Sequence, residues 1–447
     1  MPRLHVAVLD EELPYPLTSG KRIRSFNLLT RLAKSHRITY IAHKNPDPDE
    51  LREAARVLRE HDIFPVIVDR AIRPKSGLGF YARLARNLFS PLPFSVATHT
   101  SRAFRRAMDE LAAKDLPDLW HCEWTPYAQS MYRRRGRWVV MAHNVESVIW
   151  QRYAEAERNS LKAWFLRRQW RRFEAFEGWA YSNATRAVAV SREDADRIER
   201  QFGATDVAVV DNGVDTASFQ PDESVPPDHR QMLFLGSLDW RPNIDAVRLL
   251  MDVIYPKVRL AEPLATLAVV GRKPPEWLRE AVRTRLGIKV YGDVPDVRPY
   301  LRGTGMLVVP LRIGGGSRLK ILEALATGLP VITTTVGVEG LRLKPGEHVT
   351  VADTAEGFAA AATEAIRRPE AARAQAARGR ARVLAEYDWG GLAERLGAVW
   401  ESVAETSPPL TPPPRSGEGG DRSDRLSGAP LSASERGETR MRGARRG

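Results

Sequence analysis

The stretch from Met306 to Ile332 concentrates residue types that handle phosphate. An apolar segment, Met306-Leu307-Val308-Val309-Pro310, leads to Gly314-Gly315-Gly316-Ser317-Arg318-Leu319-Lys320. Ile321-Leu322-Glu323-Ala324-Leu325-Ala326 follows, and then a second apolar segment at Val331-Ile332. This reads as strand, turn, helix, strand. Three successive glycines remove the side chains that would keep backbone amides from a bulky anion, and a helix start adds a partial positive charge. Arg318 and Lys320 put two cations in the first helical turn, where the macrodipole disfavours them. A bound diphosphate would compensate for that placement. Glu323, one turn beyond Lys320, has the spacing to accept hydrogen bonds from ribose hydroxyls; the plainer alternative is an ion pair with Lys320.

Three other places hold candidate chemistry. Gly20 is followed by Lys21, Arg22 and Arg24, a cluster that suits an anion, although a turn glycine beside a solvated basic helix face has the same residues. His143 and Glu146 lie just past the apolar run Trp138–Ala142, where a reacting group can be reached; a strand-end hydrogen bond and a helix cap are the plainer alternatives. Asp47-Pro48-Asp49 and Asp194-Ala195-Asp196 have the form of a metal-binding Asp-X-Asp. Each stands where a helix begins, so capping and solvation account for the carboxylates. Cys122 is the only cysteine and no His/Cys cluster has metal-ligand spacing, so neither a disulfide framework nor a cysteine-rich zinc site is expected.

The elements that must position these residues show in the periodicity. His5–Leu9, Ile38–Ala42, Pro65–Val68, Trp138–Ala142 and Ala187–Val190 read as buried strands, with helices over Ile23–Lys34 and Asp49–His61 between them. After the linker-like Pro221–Asp228, a second series gives strands at Met232–Gly236, Thr266–Gly271, Lys289–Tyr291, Met306–Pro310 and Val331–Thr334. Strand–helix alternation predicts parallel sheets covered on both faces, an α/β chain of two Rossmann-like halves with the ligand site in the cleft between them. The basic, aromatic segment Leu161–Trp179 is either a helix lying on an anionic bilayer or one whose aromatic stripe packs on its own domain; the spacing of Phe173, Phe176 and Ala180 favours packing.

With 447 residues, 43% hydrophobic and 28% charged, most of the chain is expected to fold as two or three domains. It shows neither a membrane-spanning apolar run nor a secretory leader, so a cytoplasmic protein is expected. Residues 1–200 hold 35 Lys and Arg against 24 Asp and Glu, whereas residues 201–447 hold 33 against 31. The basic excess therefore belongs to the first half, and nucleic acid, an anionic membrane surface and phosphorylated substrates all satisfy it. The Pro-, Ser-, Gly- and Arg-rich stretch after Thr406 is too poor in apolar groups to offset the entropy of ordering and is expected to be disordered.

The Gly314–Glu323 string resembles, together with other landmarks, the retaining glycosyltransferases of family 4, built on the GT-B fold of two facing Rossmann-like domains with an interdomain cleft. The landmarks are Asn212-Gly213-Val214-Asp215, Leu233-Phe234-Leu235-Gly236-Ser237, Val269-Val270-Gly271, Tyr291-Gly292-Asp293, His143-Asn144-Val145-Glu146 and Val190-Ser191-Arg192-Glu193. The resemblance implies an acceptor-binding domain over 1–204, a linker over 205–230 and a nucleotide-sugar domain over 231–384. A C-terminal helix at 385–405 would pack back on the first domain, ahead of the tail at 406–447. Carried onto this chain, the donor would be held by Gly20, Lys21, Gly236, Ser237, Arg241, Gly314, Gly315, Gly316, Ser317, Arg318, Lys320 and Glu323, with His143 and Glu146 at the reacting sugar. Two departures stand out. The family's first glutamate falls on Gly315, and the usual phosphate-binding cations fall on Ser237 and Asn243, leaving Arg241, Arg318 and Lys320 as substitutes.

The resemblance implies sugar transfer from a nucleotide-diphosphate sugar with retained anomeric configuration and with no metal or other cofactor. The pattern looks closest to bacterial exopolysaccharide sugar transferases. With the charge asymmetry, that suggests a glycan or polyprenyl-diphosphate-linked acceptor at the inner face of the membrane. A nucleotide-sugar epimerase on the same fold is the main alternative. A basic nucleic-acid-binding protein would show a zinc-finger or RNA-binding motif, and a dehydrogenase the Gly-X-Gly-X-X-Gly turn after the first strand; the sequence has neither.

Overall fold

Short apolar runs rich in Val and Ile are buried on both faces, which suits parallel strands flanked by helices. In the computed structural model, which describes residues 3–72, 76–313 and 318–406, they assort into two all-parallel sheets. Gly314, Gly315, Gly316, Ser317 and the 407–447 segment lie outside the described residues. The first sheet comprises β1 (His5–Asp10), β2 (Arg37–Lys44), β3 (Ile63–Ala71), β4 (Leu119–Cys122), β5 (Trp138–Ala142), β6 (Arg186–Ala189) and β7 (Ala208–Val209), in the order β3-β2-β1-β4-β5-β6-β7. The second comprises β8 (Asp228–Leu235), β9 (Thr266–Gly271), β10 (Ile288–Gly292), β11 (Thr304–Val309), β12 (Val331–Thr333) and β13 (Thr350–Val351), in the order β10-β9-β8-β11-β12-β13.

Both orders reverse direction once, between β1 and β4 and between β8 and β11. At such a switch point the loops leaving neighbouring strands diverge and open a crevice at the carboxyl edge. The residues after β1, β4, β8 and β11 are thereby brought to the mouths of the two sheets.

The helix starts explain local differences from the periodicity. The first helix spans Gly20–Leu32, beginning three residues before the expected Ile23, because Ser19 Oγ accepts from the Arg22 amide at 3.2 Å. Asp47 caps Pro48–Glu60 through the Asp49 and Glu50 amides, and Ser191 caps Arg192–Phe202 through the Asp194 amide. Both Asp-X-Asp triplets thus stand at capped helix starts.

The long helix Ser160–Asn183 buries Ala163, Gln169, Phe173, Phe176, Glu177, Ala180 and Tyr181 against the first sheet's layer. Its Arg168 and Arg172 donate at 2.8 Å to the Leu88 and Asn87 carbonyls, satisfying the end of the Leu78–Asn87 helix. Glu177 accepts from the amides of Glu146 (2.7 Å) and Ser147 (3.0 Å), capping the Glu146–Ala156 helix from outside it. Burial pushes Glu177 up to about 7.

The last described helix, Trp389–Glu405, returns to the first sheet. Trp389, Leu392, Leu396, Trp400 and Val403 join the cluster formed by Leu28, Leu29 and Leu32 of the Gly20 helix and by Leu4, Val6 and Val139. Two tryptophans with 1% exposure or less make that contact a major part of the first half's core.

Candidate active site

Between the two sheets lies a cavity of about 880 Å³. From the first half it is lined by Leu17 to Gly20 and by one face of the Gly20 helix; from the second by Gly236, Ser237, Asn243, Arg272, Arg318, Lys320 and Glu323. Gly236 follows β8 at the switch point, and the helix Leu319–Ala326 follows β11 at the same place. A Cβ on Gly236 would stand 2.7 Å from Lys320 Nζ and 2.8 Å from Asn243 Nδ2, so only glycine lets these groups meet at the strand end.

Lys320 donates to Asn243 Oδ1 at 3.0 Å, with its ammonium 4.8 Å from the centre of the Phe234 ring. No carboxylate forms an ion pair with it among the described residues. Burial pushes Lys320 down to about 7, the Arg318 charge adds to this, and Glu323 opposes it. The same burial pushes Glu323 up to about 7, with Lys320 opposing. Glu323 lines the cavity one turn further on. Arg318, buried just before the helix, donates to the Val336 carbonyl at 2.9 Å and stands 3.7 Å from Glu339. It borders both the large cavity and a smaller one of about 160 Å³ that His143 also lines. The arrangement can hold an anion against one permanent and one inducible cation, with a carboxylate turn-spaced to receive hydroxyls.

The expected residues divide accordingly. Gly20, Gly236, Ser237, Arg318, Lys320 and Glu323 share the large cavity. Arg241 is exposed at the start of Arg241–Leu249 and does not line it, whereas Arg272, after β9, does, with Nη2 3.5 Å from Ser237 Oγ. Lys21 is also elsewhere. Its ammonium pairs with Asp10 (2.5 Å) and Glu11 (3.3 Å) and stands 5.3 Å from the Trp124 ring centre. Arg22 pairs with Glu12 and Glu50, and Arg24 donates to the Val210 and Asp211 carbonyls. The anions answering the basic cluster are thus the chain's own. The signal was present as Asp10-Glu11-Glu12 at the end of β1.

His143 and Glu146 part company. His143 lines the smaller cavity with Nε2 3.3 Å from Glu123 Oε1. Glu146 lines neither cavity; it begins the Glu146–Ala156 helix and accepts from Trp124 Nε1 at 3.0 Å. Asn243, Arg272 and Glu123 are the residues that pattern reading passed over as contributors.

Comparison with known proteins points to the same fold. Residues 20–218 match the family described as Glycosyltransferase Family 4, and residues 229–368 match Glycosyl transferases group 1. The glycogen synthase of Mycobacterium tuberculosis is 26% identical over 259 residues, covering 55% of this chain and 60% of that protein. The phosphatidyl-myo-inositol mannosyltransferase of Mycobacterium leprae is 29% identical over 226 residues, covering 48% and 59%. The alignments thus span about three-fifths of these relatives' lengths. Among solved structures, sucrose-phosphate synthase from Thermosynechococcus elongatus superposes with a TM-score of 0.65 at 18% identity, over 90% of this chain and 99% of that one. HepE of Anabaena, in complex with UDP and glucose, gives 0.59 at 13%, over 90% and 100%. Two facing parallel sheets, a cleft at their switch points and a glycosyltransferase family match in each half lead to one conclusion: the chain has the GT-B glycosyltransferase fold.

Proposed function

We propose that the protein transfers a sugar from a nucleotide-diphosphate sugar to a glycan or lipid-linked glycan acceptor, keeping the anomeric configuration. The observation that carries this reading is that Arg318, at the N-cap of the Leu319–Ala326 helix, and Lys320 and Glu323, on it, all line the interdomain cavity. Arg318 and Lys320 would meet the diphosphate, and Glu323 the ribose. The step is a front-face substitution. The bond between the sugar's anomeric carbon and the phosphate oxygen breaks, the acceptor oxygen bonds to that carbon from the same side, and its proton passes to the released phosphate. Cations and helix amides stabilise the leaving charge, so activity is expected to persist in EDTA.

The acceptor is proposed from the surface of the first half. Leu78, Tyr81 and Phe89 are exposed on and after the Leu78–Asn87 helix, and Leu161 and Trp164 are exposed on the helix whose arginines secure it. Apolar tips beside cations suit an anionic membrane bearing a polyprenyl-diphosphate glycan.

The test is thermal shift across nucleotide-diphosphate sugars, starting with UDP-glucose, followed by NMR of the product's anomeric coupling. A stabilising donor is expected, its effect weakened in Lys320→Ala and Glu323→Ala, with an α-linked product from an α-configured donor. An inverted product sinks the retaining mechanism. Donor turnover without acceptor moves the reading to an epimerase, and no stabilisation by any sugar nucleotide removes the donor site.

A further inference from the structure

Glu123 follows β4 at the first sheet's switch point and is 2% exposed. Groups from separate elements converge on its carboxylate. Ser25 Oγ, on the Gly20 helix, donates to Oε1 at 2.6 Å; His121 Nε2 lies 2.8 Å from Oε2; and His143 Nε2, after β5, lies 3.3 Å from Oε1. One donor without an alternative role fixes the tautomer of His121. Trp400 Nε1 stands 3.1 Å from His121 Nδ1, and an indole N–H can only donate. His121 Nδ1 is therefore bare, and in the neutral ring Nε2 carries the hydrogen that goes to Glu123. Burial alone would raise the Glu123 carboxyl, but the hydrogen bond from His121 and the His143 ring close beside it outweigh burial and hold it well below the usual carboxylate range. Burial lowers His143 despite the carboxylate, leaving its imidazole neutral near pH 7. An ionised acceptor facing Nε2 selects the Nε2–H form and leaves Nδ1 as a lone pair.

We propose that Glu123 is a positioning residue, holding the His143 imidazole in the Nε2–H tautomer at the wall of the cavity it shares with Arg318, while Ser25, His121 and Trp400 fix Glu123 in turn. The inference rests on the reading of His143 as the histidine at the reacting sugar. It also ties the C-terminal helix to the site, through Trp400 and His121.

The experiment is NMR of ¹⁵N-histidine-labelled full-length protein, alongside kinetics with UDP-glucose, for wild type, Glu123→Gln and Glu123→Asp. Wild type is expected to show His143 protonated at Nε2 and bare at Nδ1, and Glu123→Gln a mixture of tautomers. In Glu123→Gln kcat is expected to fall about 10–100-fold with KM nearly unchanged. The charge-retaining Glu123→Asp should recover part of the loss. An unchanged His143 tautomer in Glu123→Gln overturns the proposal, as does a kcat within about twofold of wild type. The tautomer needs no turnover to be read, so if wild type uses no nucleotide sugar the functional reading fails while the spectra still decide the role of Glu123. Should Glu123→Gln not fold, Trp400→Phe keeps an aromatic ring but removes the indole N–H. The His121 and His143 signals are then expected to move together, and their standing still overturns the proposal.

Discussion

At the scale of single residues, Lys320 and Glu323 form an unusual pair, because burial brings both to about 7 from opposite directions. Lys320 is charged below pH 7 and neutral above it; a diphosphate beside it favours the charged form. Glu323 is neutral below pH 7 and charged above it; hydroxyl donors favour the charged form. Donor binding should therefore release a proton at pH 6, from Glu323, and take one up at pH 8, onto Lys320. Affinity for UDP-glucose is expected to peak near pH 7 and to fall about tenfold per pH unit on either side. Calorimetry in buffers of different ionisation enthalpy checks the sign. Lys320→Met should abolish only the uptake at pH 8, and Glu323→Gln only the release at pH 6. This much of the site was legible because cations in a helix's first turn conflict with its dipole and so advertise a ligand. Asn243 was not, because an amide that orients a lysine has no compositional signature. Lys21 was misplaced for the opposite reason: its type fitted an anion site, and the anion turned out to be Asp10.

At the scale of elements, most strands announced themselves through Val and Ile runs, while β4 did not. Its sequence, Leu119-Trp120-His121-Cys122, has neither alternation nor β-branched residues, and it is a strand because the sheet on both sides provides partners at Val6 and Trp138. Glu123 was hidden with it. The Ser160–Asn183 helix was legible as amphipathic, but the capping of a neighbouring helix by Glu177 depends on tertiary approach alone. The Trp389–Glu405 helix makes the strongest element-level prediction. Trp389 is 1% exposed within the first half's core, so Trp389→Ala should lower stability by about 3–5 kcal/mol, read as a shift of the urea midpoint. A loss below about 1 kcal/mol would mean the helix is only loosely docked.

At the scale of the whole molecule, two features foretold the architecture: strand–helix alternation repeated twice, and a linker-like break between the series. The switch points, which place the cleft, emerge only from strand order and so escape any linear reading. Charge distribution acts at this scale too. The basic excess of the first half coincides with exposed apolar side chains, Phe89 at 91% and Leu78 at 90%. Flotation with phosphatidylglycerol vesicles is expected to capture the protein, less so as salt rises. Replacing both Phe89 and Trp164 by Ser should weaken capture about tenfold or more. Equal capture by neutral vesicles would show that the charge is irrelevant, and no capture at low salt would remove the membrane from the proposal.

The return of the last helix to the first sheet has a consequence for how the protein is made. A ribosome releases residues 5–209 early, yet the layer supplied by Trp389, Leu396 and Trp400 emerges only after the entire second sheet. Until then the part of the Gly20 helix that packs on the last helix has no cover, and at about 5–20 residues per second the wait lasts from about ten to several tens of seconds. The second half, whose core is contiguous in sequence, can close first. The later-synthesised sheet is thus in a position to mature before the earlier one, which leaves the first half as the natural client of chaperones during synthesis.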